Sequence, residues 1–168
     1  MNTNLGNVSF NLPKGKSSII KVIGVGGGGS NAVNNMFREG IANVDFIVCN
    51  TDNQALDLSP VPLKIRLGDS GLGAGANPKV GRQAALDNAE QVKDVLKANT
   101  KMLFIAAGMG GGTGTGAAPV VAQLARELGI LTVGIVTTPF KFEGHKRVKQ
   151  ANEGICEMRN YVDTLLVI

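Results

Sequence analysis

The residues of this 168-residue chain best suited to chemistry are glycines, gathered at Gly26 to Gly29, Gly68 to Gly75 and Gly108 to Gly116. Glycine lets another group approach the backbone closely, so consecutive N–H groups can turn toward one anion. The first and third clusters run into helical patterns, whose N-termini add unpaired N–H groups and a partial positive charge. Thr113 and Thr115 place hydroxyls inside the third cluster, GMGGGTGTG. A chain of phosphates is the ligand that such a set of donors suits. No GxxxxGK[ST] occurs, so the P-loop and its phosphate lysine are absent, and amides and helix dipoles must do most of the neutralising.

Gly24, Gly26 and Gly29 also follow a GxGxxG-like spacing, which makes an NAD(P)-dependent oxidoreductase the first rival. That chemistry expects an acid for the ribose about 20 residues further on. The segment there reads CNTD, and Asp52 could fill the role or could cap a short helix before Gln54. The third cluster argues for the triphosphate, because a dinucleotide needs no run of this length.

Loops of this kind work only if a scaffold brings them to one place. Ser18 to Val25 is a β-branched apolar run that predicts a buried strand, and Asn31 to Glu39 predicts a helix with Ala32, Val33, Met36 and Phe37 on one face. Further strands are expected at Val44–Asn50, Leu63–Leu67, Met102–Ala107, Ile130–Thr137 and from Thr164, with a turn at Thr51–Leu58. Pro78 opens a helix whose inner side carries Val80, Ala84, Ala85, Ala89, Val92 and Leu96. Helices are also expected over Ala117–Leu128, with Pro119 in the first turn, and His145–Asn160, with Val148, Ala151, Ile155 and Met158 inward. Strands without strict alternation, interleaved with helices, indicate an α/β fold: a doubly wound, mostly parallel six-stranded sheet with helices on both faces. All three glycine clusters then fall at carboxyl ends of strands, where open sheets of this type bind ligands.

Residues 1–17 are polar and aperiodic and are expected to form a flexible tail ahead of a single domain over 18–168. The 17 Lys and Arg against 13 Asp and Glu are spread along the chain, which argues for a solvated surface and no nucleic-acid partner. No apolar run has the length of a membrane span and no signal peptide opens the chain, so a cytoplasmic location without membrane insertion is expected. Cys49, Cys156 and His145 are too far apart for a metal site, and both cysteines are read as free thiols. Asp45, Asp57, Asp69, Asp87, Asp94 and Asp163 are read as surface carboxylates, and Gly24 as either a packing or a loop glycine. Glu143 and Arg147, four apart, read from spacing alone as an exposed salt bridge.

Five segments in order, GVGGGGSNAVN, NTD, GLGAGANP, AAGMGGGTGTGAAPV and TTPFKFEGHKR, give the chain from about Ser18 to Ile168 a specific resemblance. It is similar to the tubulin and FtsZ family of GTPases, on the bacterial cell-division branch and not the tubulin one. The resemblance implies a Rossmann-like nucleotide domain binding GTP or GDP with Mg2+ held through phosphates and water. It assigns Gly27, Gly28, Gly29, Ser30 and Asn31 to the α- and β-phosphates, Ser30 standing where Asn is common. Asn50, Thr51 and Asp52 match the second loop, and Gly73, Ala74, Gly75, Ala76 and Asn77 the loop that senses the γ-phosphate. Gly110, Gly111, Gly112, Thr113, Gly114, Thr115 and Gly116 match the phosphate signature, while Pro139, Glu143 and Arg147 match the ribose-contacting turn. The guanine-reading helix and the catalytic acidic loop are expected beyond Ile168, so no catalytic residue is assigned within the chain. A head-to-tail homopolymer at the mid-cell division site is implied, with hydrolysis at the subunit junction and adaptors and membrane tethers reached through a C-terminal tail. A filament protein independent of nucleotide is the remaining alternative.

Overall fold

A computed structural model describes residues 17–168. Six strands, β1 (Ile20–Val25), β2 (Asp45–Asn50), β3 (Leu63–Arg66), β4 (Met102–Gly108), β5 (Leu131–Thr137) and β6 (Thr164–Val167), form one sheet in the order β3-β2-β1-β4-β5-β6. Every pairing between these strands is parallel, with Val25 opposite Cys49 on one side and Ala107 on the other. The expected doubly wound α/β sheet is therefore present.

The helices are α1 (Gly26–Arg38), α2 (Asn53–Asp57), α3 (Pro78–Asp87), α4 (Ala89–Lys97), α5 (Thr113–Glu127) and α6 (His145–Arg159). Alternate residues of each central strand supply opposite faces. Val22, Phe46, Val48 and Ala106 pack with Val33 of α1 and Leu56 of α2. Ile23, Val25, Ile47, Cys49, Leu103 and Ile105 pack under Ala84, Ala85, Val92, Leu96, Ala118, Val121, Ile155 and Met158 of α3 to α6. The chain leaves β1 on one face and β4 on the other, so the crevice between these neighbours is the topological switch point where this architecture receives ligands.

Several expected boundaries shift, for local reasons. Helix α1 starts at Gly26 and α5 at Thr113, so both glycine clusters are partly helical rather than loop. The helix after Pro78 breaks at Asn88, whose side-chain amide donates to the Ala84 carbonyl (2.8 Å), giving α3 and α4. The turn at Thr51–Leu58 contains α2, and Pro119 lies inside α5 rather than in its first turn. Ala32 and Val80 are exposed instead of inward. Asp45 and Asp163 are not idle surface carboxylates: Asp45 accepts from Ser18 N (3.1 Å) and Asp163 from Thr132 N (2.8 Å), the latter tying the start of β6 to β5.

The expected tail falls on residues 1–16, outside the described residues, except for Ser17. That residue is anchored, its hydroxyl donating to the Ala98 carbonyl at 2.8 Å. Cys49 is fully buried, which pushes its thiol up to about 12, and Cys156 is exposed; both are free. No helix among the described residues is long and apolar enough to cross a membrane.

Candidate functional site

The site assembles where β1 and β4 end. Gly26 follows Val25 directly with φ 71°, a backbone conformation that glycine adopts at little cost, and this turns the chain straight into α1. A Cβ on Gly26 would come within 2.8 Å of Gly114 N, and one on Gly28 within 3.3 Å of Gly108 Cα. The starts of α1 and α5 are thus in backbone contact. Neither helix has a side-chain N-cap, since Val25 and Gly112 occupy those positions. Their first N–H groups are left for solvent or a ligand, and the combined dipoles favour an anion.

Loop 68–77 closes the cradle from the side. Its tip places Ala76, a residue with a side chain, at φ 56°, beside Gly75 at φ 57°. Such strain persists only where surroundings enforce it. A Cβ on Gly112 would meet the Ala74 Cβ at 2.7 Å and Asn77 N at 2.9 Å, so loop 68–77 lies directly on the signature segment. Asn77 caps α3 by accepting from Lys79 N at 3.1 Å. The second loop, at Asn50 to Asp52, is gripped by loop 68–77 through Asn53 N to Gly71 O and Gly73 N to Thr51 O, both 3.0 Å.

Within this frame the assigned residues separate by burial. Gly27, Gly28 and Asn31 are exposed on the first turns of α1, while Gly29 and Ser30 are buried. Gly24 is settled as a packing glycine: its Cβ would overlap the Gly29 carbonyl and lie 2.9 Å from Ser30 N. The buried Ser30 hydroxyl has no hydrogen-bond partner among the described residues. Thr115 accepts from Gly110 N at 2.8 Å, which holds the loop around Gly111, a position open on its Cβ side. Asn50 Oδ1 accepts from Thr51 N at 2.8 Å and Asp52 N at 3.3 Å. Asp52 Oδ1 caps α2, accepting from Gln54 N at 2.9 Å and Ala55 N at 3.2 Å.

Pro139 and α6 lean over the same segment, with Pro139 Cγ 3.2 Å and the Arg147 carbonyl 3.1 Å from where a Gly110 Cβ would stand. Glu143 lies in a short 3-10 turn (Lys141–Glu143) and is braced twice. Phe140 N donates to Oε1 at 2.9 Å and Arg147 Nη1 to Oε2 at 2.8 Å. The Phe140 amide foremost, then Arg147, holds this carboxyl below the usual glutamate range. The salt bridge read from spacing is therefore formed.

Thr51 is the residue that sequence reasoning underweighted. Its hydroxyl lies 2.6 Å from that of Thr113, 62 positions away, and both residues are buried. No spacing in the chain signals that pair.

The sequence matches the Tubulin/FtsZ family, GTPase domain, over residues 19–168. Among solved structures, an empty FtsZ dimer from M. jannaschii is 43% identical with a TM-score of 0.87, covering 93% of this chain and 46% of that one. A W319Y mutant of FtsZ from M. jannaschii is 45% identical, TM-score 0.86, covering 89% and 46%. CetZ2 from Haloferax volcanii, solved as a GTPγS-bound protofilament, is 26% identical, TM-score 0.80, covering 89% and 48%. The chain thus spans about half the length of these structures. Strand order, converging glycine segments and the match over nearly all described residues agree, and the chain belongs to the Tubulin/FtsZ family, residues 19–168 corresponding to its GTPase domain.

Proposed function

We propose that this chain is the nucleotide half of a GTPase that assembles head to tail into filaments serving cell division in the cytoplasm. One observation carries the reading. The uncapped starts of α1 and α5 touch at the switch point and are walled by loop 68–77 and the Pro139 turn, a cradle built from amides and hydroxyls. It neutralises phosphates without a lysine. Gly27 and Gly28 offer amides to one part of the phosphate chain and Gly111 to Thr113 to another, while Glu143 and Arg147 serve the ribose.

Magnesium fits as a partner of the nucleotide. This ion retains several waters and binds nucleotides through phosphate oxygens, so it would be held by the phosphates and water and needs no direct ligand from the chain. Among the described residues no group of three or more His, Cys, Asp or Glu forms a protein cage. The oxidoreductase alternative is weakened because Asp52, its ribose acid, is engaged as the cap of α2.

Polymer formation is supported by the related FtsZ dimer and CetZ2 protofilament. Hydrolysis at the junction between subunits, with the acidic loop supplied by a neighbour, follows for this chain if it shares that assembly. The 168-residue chain alone is then inactive, and adaptors and membrane tethers attach elsewhere in the full-length protein.

Turnover per molecule of the full-length protein, measured against protein concentration with GTP and ATP, tests this. Turnover confined to GTP and rising above a threshold concentration supports a junction-built site. A flat profile, or assembly indifferent to nucleotide, overturns it.

A further inference from the structure

We infer that Thr51 is a positioning residue, which aims the Thr113 hydroxyl into the phosphate cradle and couples that hydroxyl to loop 68–77. The inference rests on the nucleotide-binding reading of the site and adds a residue to it. Thr51 is 3% exposed and Thr113 9%, and their hydroxyl oxygens are 2.6 Å apart. Each hydroxyl carries one proton, so the pair holds two, and their mutual hydrogen bond uses one. Neither hydroxyl has another partner among the described residues. One O–H of the pair is therefore left over, and Thr113 is the first residue of α5, where the helix dipole favours an anion.

The direction of the shared bond decides which hydroxyl keeps the spare proton. If Thr51 donates, Thr113 is free to donate to a phosphate oxygen. An anion at the start of α5 selects this direction, because it stabilises a proton pointed at it. Thr51 can turn its hydroxyl but not its backbone. Its N–H donates to Asn50 Oδ1 at 2.8 Å, its carbonyl accepts from Gly73 N at 3.0 Å, and the flanking Asp52 and Leu72 form an antiparallel bridge. The residue that orients Thr113 is thus one rung of the short ladder that clamps residues 71–73. The tip of that loop, at Ala74 and Asn77, rests on Gly112, immediately before Thr113. Occupancy of the cradle reaches the loop by two routes, and Thr51 is the polar one.

The test uses the full-length protein with Thr51→Val, which keeps the branched shape and removes the hydroxyl, and Thr51→Ser, which keeps the hydroxyl and removes the methyl. Thr51→Ala provides the hydroxyl loss again should the valine protein not fold. Two quantities are read: GDP affinity, and the slowing of amide hydrogen exchange across residues 71–77 when GDP saturates the protein. Loss of the neutral hydrogen bond that orients Thr113 predicts about fivefold weaker GDP binding for Thr51→Val, with the GDP-dependent slowing abolished. Thr51→Ser stays within about threefold of wild type and retains the slowing. If the valine protein at saturating GDP slows exchange as wild type does, or if the serine protein loses as much as the valine protein, Thr51 acts through packing and the inference is wrong. If wild type binds no guanine nucleotide, the reading of the site itself fails first.

Discussion

The two ends of the sheet solve one problem in opposite ways. At the amino end, the last carbonyls of α4 need donors, and the protein provides them internally: Lys21, 3% exposed, reaches from β1 to donate to Val95 O at 2.7 Å and Ala98 O at 2.9 Å. At the carboxyl end, α1 and α5 begin without side-chain caps and their first N–H groups have no internal answer. A helix end that the chain satisfies by itself is structure, and a helix end left open at a switch point is a candidate site. The two differ in stability as well as in charge: Lys21 pays a desolvation cost to stay inside, whereas the carboxyl end is held by backbone in close contact.

That contrast can be broken first where contact is tightest. A Cβ on Gly116 would overlap the Pro78 carbonyl and stand 2.7 Å from Arg82 N, both backbone atoms. Gly116→Ala is expected to cost about 3 kcal/mol or more, read as a lower urea midpoint or loss of soluble protein. Wild-type stability in that variant would mean that α3 and α5 are not locked together.

Next comes Lys21→Met, which leaves two helix carbonyls unanswered and is expected to cost about 2 kcal/mol. Burial lowers the Lys21 pKa from its ordinary 10.5, opposed by Asp45. The unfolded chain therefore binds this proton more tightly, and wild-type stability rises with pH between the lowered value and 10.5. Below that window the desolvation cost is fully present. The stability gap between wild type and Lys21→Met should widen as pH rises toward 10.5; a constant gap would show that the lysine is as well solvated as in the unfolded chain.

Asp52 sharpens the comparison at smaller scale, since it caps α2 from within the open end. Asp52→Ala should cost about 1 kcal/mol and Asp52→Asn under about 0.5 kcal/mol, by urea titration. Smallest in stability is Gly27→Ala. Gly27 is exposed in a helical turn with nothing within 4 Å of its Cβ position. Alanine there should raise stability by a few tenths up to about 1 kcal/mol while weakening GDP binding, measured by fluorescence titration with a labelled nucleotide. Unchanged binding would remove Gly27 from the cradle.

Much of this was legible before any coordinates. Apolar β-branched runs gave five strands nearly to the residue, and the interleaving of strands with helices gave the doubly wound parallel sheet, because buried parallel strands carry their own signature. The glycine segments fall at strand ends as expected. Less legible was which glycines serve backbone packing and which face the crevice. Gly29 and Gly116 are closed off by neighbouring backbone, while Gly27 and Gly111 are open, and all four look alike in one dimension. The starts of α1 and α5 were missed for the same reason, since glycine is a poor helix former in isolation and only packing against the sheet and its neighbouring helices holds it helical.

The sequence by itself determined the class of fold, the three glycine segments at strand ends and the absence of a P-loop lysine, since these depend on local composition and periodicity. Tertiary structure alone decided that Thr51 meets Thr113, that Asp52 is used as a cap, that Lys21 is buried against helix carbonyls and that Gly110 lies beneath Pro139 and Arg147. Each of these depends on groups far apart in the chain coming within a few ångströms, and no propensity or spacing records such a distance.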